Sequence, residues 1–250
     1  MAKYGTVIWV MILSAFAAFL IFPATHHLFV SATSSHPYLM GFIKFAILST
    51  MGEFLATRLV SKRWQMVKGM LPKMFIWGVL GVLIVMMFSV YADGISGAIN
   101  KGLLWTGGNS GSALNGFLAK LLKAFYISAI MNLTFAPVFM AAHRITDTWI
   151  DARYSGSEKG DTDNGITSGS EKGDAVNGIT SGISFSKAVS VIDWSGFIKF
   201  VVGKTIPLFW IPAHTITFLL PDTYKVIFAA SLSIVLGLIL SFAKMRSARV

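Results

Sequence analysis

Six apolar runs divide the chain. The first extends from Thr6 to Phe22 and stops at Pro23. The second covers Tyr38 to Arg58. The third, Pro72 to Ala92, opens with a proline suited to a first helical turn. The fourth runs from Phe117 to Ala142 around an internal Pro137. The fifth, Phe197 to Leu220, carries Pro207 and Pro212, and the sixth, Asp222 to Ala243, follows Pro221. A helix needs about 17–25 apolar residues to cross ~30 Å of hydrocarbon, and these runs have that length. They are much longer than the ~10-residue alternating strands of a membrane barrel. The pattern therefore predicts helices, which satisfy their own backbone in lipid. The first run also fits a signal peptide with Lys3 as its basic region. Either reading leaves the stretch from Ala24 to Pro37 outside.

Basic residues orient the runs. Arg58, Lys62, Arg63, Lys68 and Lys73 surround the second turn-back, Arg144 and Arg153 follow the fourth run, Lys187 precedes the fifth, and Lys244, Arg246 and Arg249 end the chain. The intervening stretches carry almost none: no Lys or Arg lies between Ala24 and Pro37, and only Lys101 between Asp93 and Gly116. Basic loops stay cytoplasmic. The expectation is an all-α integral membrane protein, a bundle of about six transmembrane helices with both termini cytoplasmic. Residues 1–154 hold the first four spans, and 183–250 hold the last two.

Between them, residues 155–182 read SGSEKGDTDNGIT and then SGSEKGDAVNGIT, a near-identical tandem pair. So little apolar surface predicts a flexible cytoplasmic loop. Asp161-Thr162-Asp163-Asn164-Gly165 faintly resembles a calcium loop, but its glycine comes one place early and the second copy loses the acidic pair.

Composition supports this reading. Charged residues make up 13% of the 250, against roughly 25% in soluble domains, and the mean hydropathy is +0.68. The net charge of +10 would point a soluble protein towards nucleic acid. Here the cations sit at span ends, so no nucleic-acid partner is expected. With no cysteine, disulfides and thiolate chemistry are excluded.

Ionisable residues within spans are costly and need partners. Counted along the helices, Glu53 and Lys204 share a depth near the inner side, which predicts an ion pair. That pair would either line a pathway or only tie two helices. Lys44 and His214 fall deep in the outer third, near Lys120 and Lys123. Facing inward, they would make an electropositive vestibule, although lysines near span ends also snorkel. The prolines Pro137, Pro207 and Pro212 predict helix kinks whose freed carbonyls line a cavity or serve packing. His26, His27, His36 and His143 lack metal-ligand spacing, so no metal site is expected. No nucleophile–base constellation appears, so neither catalysis nor a cofactor is expected.

The C-terminal third carries a resemblance. Trp210-Ile211-Pro212-Ala213-His214-Thr215-Ile216-Thr217-Phe218, then Pro221 and Tyr224-Lys225 opening the last helix, resembles the Mpv-seventeen / twenty-two-kilodalton peroxisomal membrane protein family. That family has Trp-x-Pro-x-Gln-x-x-Asn, a proline, and an aromatic–Arg pair. Gly52-Glu53 and Phe135-Ala136-Pro137 resemble two of its upstream elements. His214, Thr217, Lys225 and Glu53 stand where the family has Gln, Asn, Arg and Asp. The resemblance implies a small helical membrane protein associated with channel-like passage of small solutes. Lys44, Glu53, Lys204 and His214 are the expected polar interior, a small anionic solute the expected cargo, and the lipid bilayer the surroundings. Assembly into a homo-oligomer is left open. A bacterial cytoplasmic membrane is expected, with an organelle membrane as the alternative. A non-transporting protein supporting assembly or membrane integrity is the rival.

Overall fold

The computed structural model describes residues 4–107, 113–156 and 184–247, and among them it is built of helices alone. In chain order these are α1 (Gly5–Ile21), α2 (Pro23–Ser35), α3 (Pro37–Ser61), α4 (Met70–Asn100), α5 (Ala113–Thr134), α6 (Ala136–Gly156), α7 (Phe185–Ser190) and α8 (Trp194–Gly196). A π-helix (Phe197–Trp210), α9 (Ile211–Leu219) and α10 (Asp222–Ser247) follow. Five helices are long and apolar enough to cross a membrane: α3, α4, α5 from Gly116, the continuous stretch Trp194–Leu219, and α10 to Ile239. Counting α1 and α2 together makes six. The repeat expected as a flexible loop lies almost wholly outside the described residues.

Three expected boundaries change. The stretch from Ala24 to Pro37, expected to lie outside the spans, is largely helix α2, set at 84° to α1. Pro23 opens it, since proline lacks only a donor that a first turn leaves unused. The Thr25 hydroxyl donates back to the Phe19 and Phe22 carbonyls at 2.7 and 3.1 Å, fixing the corner. The fourth run is not one span. It breaks at Phe135, and α5 supplies the span while α6 continues as a polar helix. Pro137 cannot donate to the Leu133 carbonyl four residues back, which loosens the chain there. In the fifth run, Pro207 and Pro212, expected to kink the helix, accompany a change of winding. Pro207 sits within the π-helix and Pro212 in the first turn of α9. The wider turn accommodates a proline that cannot complete an ordinary helical ladder. The Ile211 amide still bonds the Ile206 carbonyl, five residues back.

Helix α3 is central, packed along α4 on one side and α10 on another. Lipid tails are as apolar as leucine, so such contacts depend on close packing of small residues. A Cβ on Gly81 would stand 2.5 Å from the Gly41 carbonyl oxygen and 2.7 Å from the Phe45 Cβ. A Cβ on Gly52 would meet the α10 backbone at Ser233 and Ile234 at 3.3 Å. Phe45, Leu48, Ile84, Phe88, Met131, Phe218 and Ala230 form the buried core beside these crossings. Side-chain bonds tie α1 to this frame: the Trp9 indole donates to the Met51 carbonyl at 3.0 Å, and the Trp64 indole to the Thr6 hydroxyl at 2.8 Å.

Candidate functional site

A cavity of about 630 Å³ opens between α3, α4, α5, α6, the π-helix, α9 and α10. Lys73 and Ile84 both line it. At 1.5 Å per residue their separation along α4 is roughly 16 Å, about half a hydrocarbon core. Beyond Ile84 the interior closes on aromatic rings. Phe88 packs against Phe218 with centroids 4.9 Å apart, and the rings of Phe88 and His214 meet at 82° with centroids 5.7 Å apart.

The polar end is built from α3, α4 and α6. The break at Phe135 lets α6 run beneath α4. Its residues His143, Asp147 and Asp151, at four-residue spacing, share one face. Lys73 answers them with ion pairs to Asp147 at 2.7 Å and Asp151 at 2.8 Å. Its side chain is only 10% exposed, so this is a partly buried bridge rather than a screened surface pair. One turn further on, the Trp77 indole donates to Glu53 Oε1 at 2.8 Å, and its ring packs 4.1 Å from the imidazole of His143. Burial pushes His143 down to about 4, with Asp147 opposing and Lys73 and Arg144 reinforcing the shift. The ring is therefore neutral near pH 7. Its Nδ1 is buried with no partner among the described residues.

The deep end is lined by Ser49, Met131, Asn132, Trp210 and His214. Asn132 donates to the Ser128 carbonyl at 2.8 Å, and the Ser128 hydroxyl donates to the Ile211 carbonyl at 2.7 Å, joining α5 to the start of α9. His214 stacks on Trp210 at 5.3 Å, and its Nδ1 lies 3.4 Å from the Thr217 hydroxyl. Ser49 Oγ and Trp210 Nε1 are buried with no partner among the described residues. Compared with protein-family models, curated proteins and solved structures, the chain gives no match.

The expected polar interior is thus rearranged. Glu53 and His214 line the cavity. Lys204 does not. It is exposed on the outer face of the π-helix and makes no ion pair with Glu53, because equal depth says nothing about direction around a helix and the π winding turns the face further. Lys44 is also elsewhere, 1% exposed, donating to Thr33 on α2 at 2.9 Å with its ammonium 4.5 Å over the Phe29 ring. The electropositive vestibule is therefore not assembled. Glu53, Asp147 and Asp193 outnumber Lys73 and Arg144 among the charged lining residues. Tyr224 and Lys225 open α10 outside the cavity. Tyr224 OH lies 3.1 Å from His26 Nε2, and Lys225 pairs with Asp222 at 2.5 Å.

Trp77, Lys73, Asp147, Asp151 and Ser49 are site residues that depth-matching of spans passed over. The stripe His143–Asp147–Asp151 was a readable signal, since three polar residues four apart mark a face that seeks a polar neighbour.

Proposed function

We propose that this chain is a multi-pass membrane protein of about six spans, with both termini cytoplasmic, that provides a channel or pore-like pathway for small solutes. The observation that carries the reading is the cavity. It reaches roughly halfway along a span-length helix, is lined by ionisable groups, and ends at an aromatic closure. Ionisable groups within spans are retained at a cost and commonly mark solute routes. An apolar constriction at Phe88 and Phe218 has the character of a gate that dewets. Membership of the Mpv-seventeen family is part of the same proposal. Its support is that Trp210, His214 and Thr217, the residues of the shared pattern, gather at the deep end of the cavity. The favoured setting is a bacterial cytoplasmic membrane, with an organelle membrane as the alternative.

The rival is a non-transporting protein that supports assembly or membrane integrity, favoured by the closure itself, since a sealed cavity passes nothing. Purified protein in liposomes separates the two. A pathway gives saturable solute flux that His214→Ala alters and Lys44→Ala, outside the cavity, leaves unchanged. Absence of flux with every small solute tried supports the rival.

A further inference from the structure

Glu53 is the unusual group in the cavity. Its carboxylate accepts one hydrogen bond, from Trp77, and makes no ion pair among the described residues. The nearby cation is already committed, since Lys73 bridges Asp147 and Asp151. A carboxyl group removed from water takes up a proton unless a counter-ion or a full set of donors holds it ionised, so an arriving cation is the partner that completes it. The walls around it are mostly apolar and aromatic, including Phe45, Phe135, Phe139 and Trp210. The cavity also has a polar demand at a second point. Ser49, one helical turn from Glu53 on α3 and 1% exposed, has a hydroxyl with no partner among the described residues, and the Trp210 indole N–H likewise has none there. Both can donate, and the indole can only donate. The charged lining groups, three carboxylates against two cations, disfavour an anion.

We infer that the cavity is a binding site for a small organic cation, an ammonium that pairs with Glu53 among aromatic faces and carries an oxygen acceptor for Ser49 and Trp210. Aromatic faces attract ammonium groups. A pocket with apolar walls and a few fixed polar groups suits a small amphiphilic ligand. An amino alcohol or choline-like compound meets each of these demands. This assignment rests on the cavity being part of a solute pathway, and it names the solute's class.

The test is equilibrium binding to the full chain in detergent, followed by tryptophan fluorescence, since Trp77 and Trp210 both line the site. The probes are choline, its neutral isostere 3,3-dimethylbutan-1-ol, and acetate. Choline should bind saturably, and at least about tenfold more tightly than the neutral isostere. Glu53→Gln should abolish that preference. Equal binding of choline and the isostere by the unmodified protein, or tighter binding of acetate, overturns the inference. That comparison needs no variant, so it holds even if Glu53→Gln fails to fold. A chain that passes neutral solutes through liposomes yet ignores choline keeps the pathway and loses this assignment. One that binds choline with the expected preference but gives no flux keeps the assignment and loses the pathway.

Discussion

Lys44 and Glu53 stand on the same helix, nine residues apart, and their surroundings differ sharply. Lys44 is sealed in protein, with a hydroxyl at 2.9 Å and the face of Phe29 beneath its ammonium. Glu53 lies on a cavity wall with a single indole donor and, among the described residues, no ion pair. The lysine faces a dry seam where α2 and α3 meet, and the glutamate faces open volume. A charge on a span-length apolar helix is therefore no guide to function until its neighbours are known. A charge closed in by protein groups holds helices together. A charge that faces a cavity with unmatched polar neighbours is available to a ligand.

If the closely packed faces of α3 are purely structural, overpacking its crossing with α4 should be the most damaging change of all. Gly81→Val would drive a branched side chain into the Gly41 carbonyl and Phe45. Loss of stability at or above the upper end of the ~1–3 kcal/mol typical of overpacking is expected. The measurement is thermal unfolding in detergent, and an unshifted midpoint would show that α3 and α4 do not cross so tightly.

Lys73→Met tests whether the polar end of the cavity is also partly structural. It would leave Asp147 and Asp151 adjacent without their shared cation. Breaking a buried pair costs ~3–5 kcal/mol, but Asp151 is half exposed, so water takes up part of the loss. A destabilisation of about 1–3 kcal/mol is expected in the same assay, recovered in part when Asp147→Asn accompanies it.

Much of this arrangement was legible in the sequence, and the part that was not has a physical cause. Run length and proline placement located α3, α4 and α10, because the bilayer fixes how long a span must be. They failed where a proline acts on more than one bond. Pro137 separated a span from a polar helix, and Pro207 sits in a stretch of π winding that carries Lys204 away from Glu53. Depth along a helix is nearly conserved by such changes, whereas the direction of a side chain is not. His214, in the ordinary α winding that resumes at Ile211, lines the cavity. Lys73 read as one more loop cation because its partners lie more than 70 residues further along the chain.

Lys44→Met should separate the two kinds of charge on α3. The substitution removes the hydrogen bond to Thr33 and the ammonium over Phe29, while relieving the burial of a charge. A net loss of about 1 kcal/mol is expected, with choline binding unaltered. A weakened choline affinity would mean that the seam and the cavity are one electrostatic unit.

The smallest expected effect is the sharpest test of the contrast. Ser49 is as thoroughly buried as Lys44, yet its hydroxyl has no partner among the described residues. In a structural seam, deleting a buried polar group removes a bond that the fold uses. At a ligand-facing wall it removes nothing from the free protein. Ser49→Ala should therefore change the unfolding midpoint by no more than ~0.5 kcal/mol equivalent. It should weaken choline binding several-fold, about the ~0.5–1.5 kcal/mol of one hydrogen bond, and leave a simple alkylammonium without the hydroxyl unaffected. Loss of stability without loss of affinity would place Ser49 with Lys44, among the groups that hold the helices together.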